Sequence, residues 1–173
     1  MALTSNNLLF VPNEMGDSIT VLQIDETTPS SPIFTPIVNL SGGSYNFDGP
    51  IGCVLSNGQA ALYVCNFDGN SVTVLDPHTS PTFPLIANLT SLPQVVECRC
   101  ISFDPFSSKA CVTNFGTNSV SVLDSSTNTF TANFNYSFML PTLAIFNQHA
   151  TPPPPGGLVP SCEFLFQTRL RQP

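Results

Sequence analysis

The sequence predicts an all-β fold built from repeated four-stranded antiparallel units, and three observations carry that prediction. The first is a phrase written three times: Asn, four residues, Ser, Val or Ile, Thr or Ser, Val, Leu. Its copies start at Asn13, Asn66 and Asn114, with the Ser at Ser18, Ser71 and Ser119, so the intervals are 53 and 48 residues. Self-similarity at roughly 40–50 residues marks a blade-like repeat architecture. The second is the absence of helical periodicity in any window of about 11 residues or more, while short apolar or alternating runs recur between turn signals. The third is composition. Charged residues are only 9% of the chain, so Ser, Thr and Asn must supply most of the polar surface, and these suit turns and solvent-facing strand positions. Seventeen prolines fall mostly between the apolar runs, where they end strands without breaking them. About four strands per repeat favours β-propeller blades over a sandwich or an up-and-down barrel.

The elements follow in order. In the first copy residues 8–13 form a strand, Gly16-Asp17 a turn, 18–24 a strand, 33–40 a looser strand and 50–55 another. The loop between the last two, 41–50, holds Gly42, Gly43 and Gly49. In the second copy 61–66 is rich in strand formers and 66–70 contains Asp68-Gly69, a two-residue type I′ hairpin signal in which both residues need positive φ. Residues 71–75 alternate, 76–79 are turn chemistry, 83–89 form a third strand and 99–103 a fourth, ended by Asp104-Pro105. The third copy repeats the order: strands at 111–114, 119–123 and 129–134, then 142–146 after Leu140-Pro141.

At 173 residues the chain is long enough to bury a real core, and 42% hydrophobic residues exclude disorder as its default. The net charge is −7, with four basic residues and no basic cluster. That excludes sequence-independent nucleic-acid binding and a polybasic membrane patch. The six cysteines, Cys53, Cys65, Cys98, Cys100, Cys111 and Cys162, form no C-x-x-C and no zinc spacing, so they read as small buried core residues. Neither a cofactor nor a metal is expected. The opening residues lack a basic n-region and their apolar run, 8–11, is too short for a signal peptide or a membrane span.

The second and third copies, "YVCNFDGNSVTVLDPHT" and "CVTNFGTNSVSVLDSSTNTF", resemble the YVTN-family β-propeller repeat. Residues 49–58, Gly-Pro-Ile-Gly-Cys-Val-Leu-Ser-Asn-Gly, resemble its other half, P-x-G-V-A-V-S-P-D-G. The likeness spans about residues 7–146 and is weaker in the first copy, where Pro12 replaces Thr and Gln23 displaces the acid to Asp25. It implies blades of four antiparallel strands around a central channel, with units at 7–60, 61–109 and 110–150. It also implies surface-layer or lactonase-like relatives, some secreted or at the cell surface.

In that family the strand equivalent to 50–55 is innermost. The chain therefore starts at a second strand and ends its pattern at a first one, 142–146, which divides one blade between the two ends. That makes about three blades, an incomplete ring unless oligomeric. Two readings follow: strand exchange between copies of the chain, or a truncated copy of a longer propeller. The tail, 151–173, favours truncation, because four prolines stand where the next repeat strand is due and the composition shifts; the tail is expected to be disordered.

Most recurring polar residues read as structural. Asp25, Asp76 and Asp124 close polar turns through their side-chain oxygens, and Asn13, Asn66 and Asn114 precede each hairpin. Asp68-Gly69-Asn70 hints at a calcium loop but lacks the distal Glu. His78 and His149 have no nucleophile or paired acid beside them. Asn39, Asn88 and Asn135 stand in N-x-S/T sequons, which matter only in a secreted chain. Arg99 and Glu97, flanking Cys98 on an innermost strand, form the one charged pair near the channel and are the candidate contacts for an anionic ligand. The function expected is a non-catalytic binding or interaction scaffold for a protein or glycan partner. The alternative is a lactonase-like hydrolase using Arg99, Glu97 and Asp104.

Overall fold

The computed structural model describes residues 1–28, 31–90 and 95–135, with the strand residues 144–145 and 165–166. Three four-stranded antiparallel sheets succeed one another along the chain. The first runs β1 (Ala2–Leu3), β2 (Leu8–Asn13), β3 (Ser18–Asp25) and β4 (Ile33–Ser41). The second runs β5 (Pro50–Leu55), β6 (Leu62–Asn66), β7 (Ser71–Leu75) and β8 (Leu85–Leu89). The third runs β9 (Cys98–Phe103), β10 (Lys109–Asn114), β11 (Ser119–Asp124) and β12 (Thr129–Phe134). A last pair, β13 (Ala144–Ile145) and β14 (Leu165–Phe166), is also antiparallel.

The sheets stack as blades. β5 lies against β1 and β2, β9 against β5 and β6, and β13 against β9 and β10. First strands thus neighbour first strands along the series, on the inner side, and the fourth strands lie outside. β4 is almost wholly exposed, whereas every residue of β6 and β7 is buried. β6 is covered on both faces, which explains why its residues 62–65 read as an unbroken apolar run.

The strand periodicity of two divides each central strand between two cores. Leu62, Val64 and Leu75 join Phe10, Ile19 and Val21 of the first blade. Tyr63, Cys65, Val72 and Val74 join Ile101, Ala110, Val112 and Leu123 of the third. Phe83 closes the first of these cores, fully buried, with its ring 5.2 Å from that of Phe10 in an edge-on arrangement. It lies just outside β8, not in it as the sequence predicts.

Two expectations are corrected here. The first blade is not divided between the chain ends. Its innermost position is taken by Ala2–Leu3, paired with Leu9 and Phe10, while Ala144–Ile145 pairs with Leu165–Phe166. Two residues of an unremarkable N-terminus are too short a strand to show periodicity, and only the pairing reveals them. The hairpin at 67–70 is not type I′ either. Asn66 pairs with Ser71 across four loop residues, of which only Asn70 has positive φ, at 49°. Asp17 and Asn118 hold the same position in the other blades, at 43° and 49°. Leu165–Phe166 falls in the segment read as a tail; the rest of 151–173 lies outside the described residues, as do His149 and Cys162.

Candidate functional site

Antiparallel pairing puts the end of each second strand beside the start of each first strand. The hairpins 14–17, 67–70 and 115–118 therefore gather at one face with the lead-in segments 41–49 and 95–97. Each lead-in is bonded to the hairpin of its own blade. Phe67 N donates to Gly49 O at 2.8 Å and Gly69 N to Asp48 O at 3.0 Å; Phe115 N donates to Glu97 O at 3.1 Å and Gly116 N to Val96 O at 3.2 Å. This close approach is why the second and third hairpins carry glycine. A Cβ on Gly69 would stand 2.9 Å from Asp48 Cβ, and one on Gly116 would stand 2.7 Å from Val96 Cγ1.

The left-handed residue of each of the first two hairpins clamps the next blade. Asp17 Oδ1 accepts from Gly49 N at 2.8 Å, and Asn70 Oδ1 accepts from Glu97 N at 2.7 Å. Sequence reasoning missed this role. The signal was present: an Asp or Asn stands directly before the Ser in all three copies, a residue type that tolerates positive φ and offers a side-chain acceptor.

The repeated Asn is an amide donor to the third strand. Asn66 Nδ2 donates to Ser71 Oγ at 3.0 Å and Thr73 Oγ1 at 2.8 Å. Asn114 does the same to Ser119 at 3.1 Å and Ser121 at 2.9 Å, and Asn13 to Ser18 at 3.2 Å and Thr20 at 2.9 Å. In the outer blades the ladder continues to the fourth strand: Thr20 donates to Asn39 and Ser121 to Asn133. In the middle blade Thr73 donates to the Tyr45 carbonyl, and the amide of Asn88 is buried without a hydrogen-bond partner. The Asn88 sequon is therefore shielded, whereas Asn39 and Asn135 are exposed.

Arg99 is placed by a bulge. Cys98 pairs with Asn114 and Cys100 with Thr113, so Arg99 has no opposite residue. Bulges re-aim the extra side chain. Its guanidinium lies 4.2 Å from the Phe115 ring centroid and 5.1 Å from that of Phe67, and the two centroids are 6.2 Å apart. The cation therefore caps the notch between two rings that belong to adjacent blades. β5 has the same bulge, with Ile51 at the corresponding place. Beside it Gly52 lets the inner strands meet: a Cβ there would be 2.6 Å from Arg99 O.

Glu97 does not pair with Arg99, contrary to the charged pair expected from sequence. Its backbone has φ of 51°, its amide and carbonyl are bonded to Asn70 and Phe115, and its side chain lies over Gly116. Among the described residues the ion pair present is Lys109 Nζ to Asp124 Oδ2, at 2.5 Å.

The recurring acids sit in turns. Asp25 accepts from Thr27 N, and that bond lowers its pKa. Asp76 accepts from Thr79 Oγ1 and His78 N, which hold its carboxyl below the usual range. Asp124 is lowered further, first by Lys109 and then by Ser126. Asp104 accepts from Phe106 N and Ser107 Oγ at the far end of β9, about 16 Å from Arg99 at roughly 3.3 Å per residue. The structure therefore does not bring Arg99, Glu97 and Asp104 together. His78 Nε2 lies 2.7 Å from Gln59 O, away from the hairpin face. Cys53, Cys65 and Cys98 are free thiols, and burial raises the Cys53 thiol. No group of three His, Cys, Asp or Glu suited to a metal occurs among the described residues. The hairpin face also holds an open cleft of about 530 Å³, lined by Asp17, Asn46, Asp48, Ser71, Asn88 and Thr90 with Phe47 and three glycines.

No protein-family model matches the chain, and no curated protein matches it. Solved structures do. Hydrazine synthase from Kuenenia stuttgartiensis is 19% identical with a TM-score of 0.68, over 85% of this chain and 38% of that one. A 6-phosphogluconolactonase-like protein from Bacteroides fragilis NCTC 9343 is 16% identical with a TM-score of 0.60, over 80% and 38%. Virginiamycin B lyase from Staphylococcus aureus is 16% identical with a TM-score of 0.59, over 84% and 43%. The chain spans about two fifths of the length of these neighbours. At such identities the likeness shows the fold alone, and the fold is that of β-propeller blades.

Proposed function

We propose that this chain is a YVTN-like propeller repeat protein serving as a non-catalytic scaffold, with the hairpin face as its binding surface for a protein or glycan partner. One observation carries the reading: among the described residues the ionisable groups that chemistry would need do not converge. Asp25, Asp76, Asp104 and Asp124 are spent on turns, Asp104 lies at the opposite end of β9 from Arg99, and His78 lies against Gln59, away from the hairpin face. What the hairpin face offers is an open polar cleft and loops held rigid by the lead-in bonds, which suits recognition. The resemblance of residues 7–146 to YVTN repeats and the coverage of two fifths of the neighbours support a truncated copy of a longer propeller, or one completed by further copies of the chain.

The second reading, a lactonase-like hydrolase, draws on the likeness to the 6-phosphogluconolactonase-like structure. A 6-phosphogluconolactone hydrolysis assay separates the two. The scaffold reading expects no turnover above the spontaneous rate; turnover that Arg99→Ala abolishes would overturn it. Light scattering reports assembly, and a discrete dimer supports completion by a second copy.

A further inference from the structure

We propose that Arg99 is the receptor of an oxyanion site at the junction of the second and third blades, taking a carboxylate or phosphate group of the ligand. This rests on the reading of the hairpin face as a binding surface and names the chemistry that one part of it selects.

Three independent features converge on this residue. The bulge in β9 leaves Arg99 without a cross-strand neighbour and turns its side chain out of the ladder. The rings of Phe67 and Phe115 hold the guanidinium from one side, at 5.1 and 4.2 Å. Cation–π contact of this kind fixes the side chain without neutralising it. Finally, Arg99 has no acidic partner among the described residues, although the chain carries eleven acids against four bases. The other described cation, Lys109, is neutralised by Asp124.

The orientation of the fork follows from its nitrogens. Nε is screened from solvent and has no acceptor, while the Nη edge is not among the screened, unbonded atoms. The ligand therefore approaches end-on, and two parallel N–H donors match two oxygens of a carboxylate or phosphate better than a spherical anion. The ordering cost has been met in advance by the bulge and the two rings, which favours binding by a small group. Ile51 stands at the same bulge of β5, so the site is confined to one junction.

Three arginines make the test direct: Arg99, Arg169 and Arg171. The Nε–H resonances of the full chain are followed by nitrogen–proton correlation NMR, with the Arg99 signal identified by its loss in Arg99→Gln. Sodium acetate and sodium phosphate are titrated separately, with sodium chloride at matched ionic strength as the control. The site expects a saturable shift of the Arg99 signal with acetate, phosphate or both, and none with chloride. Acetate alone identifies a carboxylate ligand and phosphate alone a phosphate ester. Arg99→Lys, which keeps the charge and loses the fork, should weaken binding about tenfold or more, read at the Phe67 and Phe115 amides. Should Arg99→Gln fail to fold, Phe115→Leu keeps the Arg99 signal and should weaken binding by loosening the notch.

A shift that follows ionic strength without saturating, or saturation that survives Arg99→Gln, overturns the site. Absence of binding with no lactone turnover removes the oxyanion site and leaves the scaffold reading standing. Saturable binding together with turnover supports the site and overturns the scaffold reading.

Discussion

Replacing Asn66 by alanine isolates the contribution of the repeated amide. Asn66 is 0% exposed, and its Nδ2 donates to Ser71 Oγ and Thr73 Oγ1, both on buried residues. Each neutral hydrogen bond contributes about 1 kcal/mol net, and the deserted hydroxyls, cut off from water, add a desolvation cost. Against this, Asn66 Oδ1 is itself buried and unbonded, and its removal returns part of the loss. Thr73 keeps its bond to the Tyr45 carbonyl. The balance is a destabilisation of about 1–3 kcal/mol. Asn13 makes the same two bonds in the first blade but is only partly buried, so water can replace the amide and Asn13→Ala should cost under about 1 kcal/mol. Urea unfolding of both variants at one pH, with unchanged m, measures the difference. Equal losses for the two variants, or a neutral Asn66→Ala, would refute the claim that burial of the side-chain bridge is what makes it hold the second hairpin.

Other perturbations follow from the same contacts. Gly52→Ala should destabilise by about 1–3 kcal/mol, since its Cβ would meet the backbone carbonyl of Arg99 at 2.6 Å; Gly43→Ala, with nothing within 4 Å, should be neutral. Phe83→Ala should cost about 3–5 kcal/mol in the same urea assay, because it empties the space against Phe10 in the core of the first two blades. The folded-state pKa values of Asp76 and Asp124 lie below their ordinary value of 3.8. Their contribution is therefore complete above that value and is lost as pH falls through the lowered ones. Asp124→Asn should flatten the acid limb of stability against pH, and Lys109→Met should move the Asp124 titration upward, read by NMR; an unchanged acid limb in Asp124→Asn would sink the assignment.

Much of the fold could be read along the chain, because strand signals are local. The runs at 8–13 and 50–55 match β2 and β5, and 129–134 matches β12. Turn residues stood where the chain turns. The readings that failed depend on what approaches from elsewhere. Gly69 looked like a source of positive φ, yet it serves to admit Asp48, as Gly116 admits Val96. Ala2–Leu3 is a strand only because Leu9 and Phe10 lie beside it. At the candidate site, Arg99 was visible as a rare cation, but Phe67 and Phe115 were not visible as its partners, being 32 and 16 residues away and each looking like the first residue of a turn.

What the sequence determined by itself is the repeat: its period, its strands, and the polar residues at Asn13, Asn66 and Asn114 that recur because each blade solves the same packing problem. The tertiary structure decided which residues meet. It separated Glu97 from Arg99, gave the Asp17 and Asn70 side chains to the next blade, and set one arginine over two rings from adjacent blades. The physical reason is range. Hydrophobic period and turn chemistry act over a few residues, whereas the junction between blades is made by segments about 30–50 residues apart, whose contacts exist only once the blades have stacked.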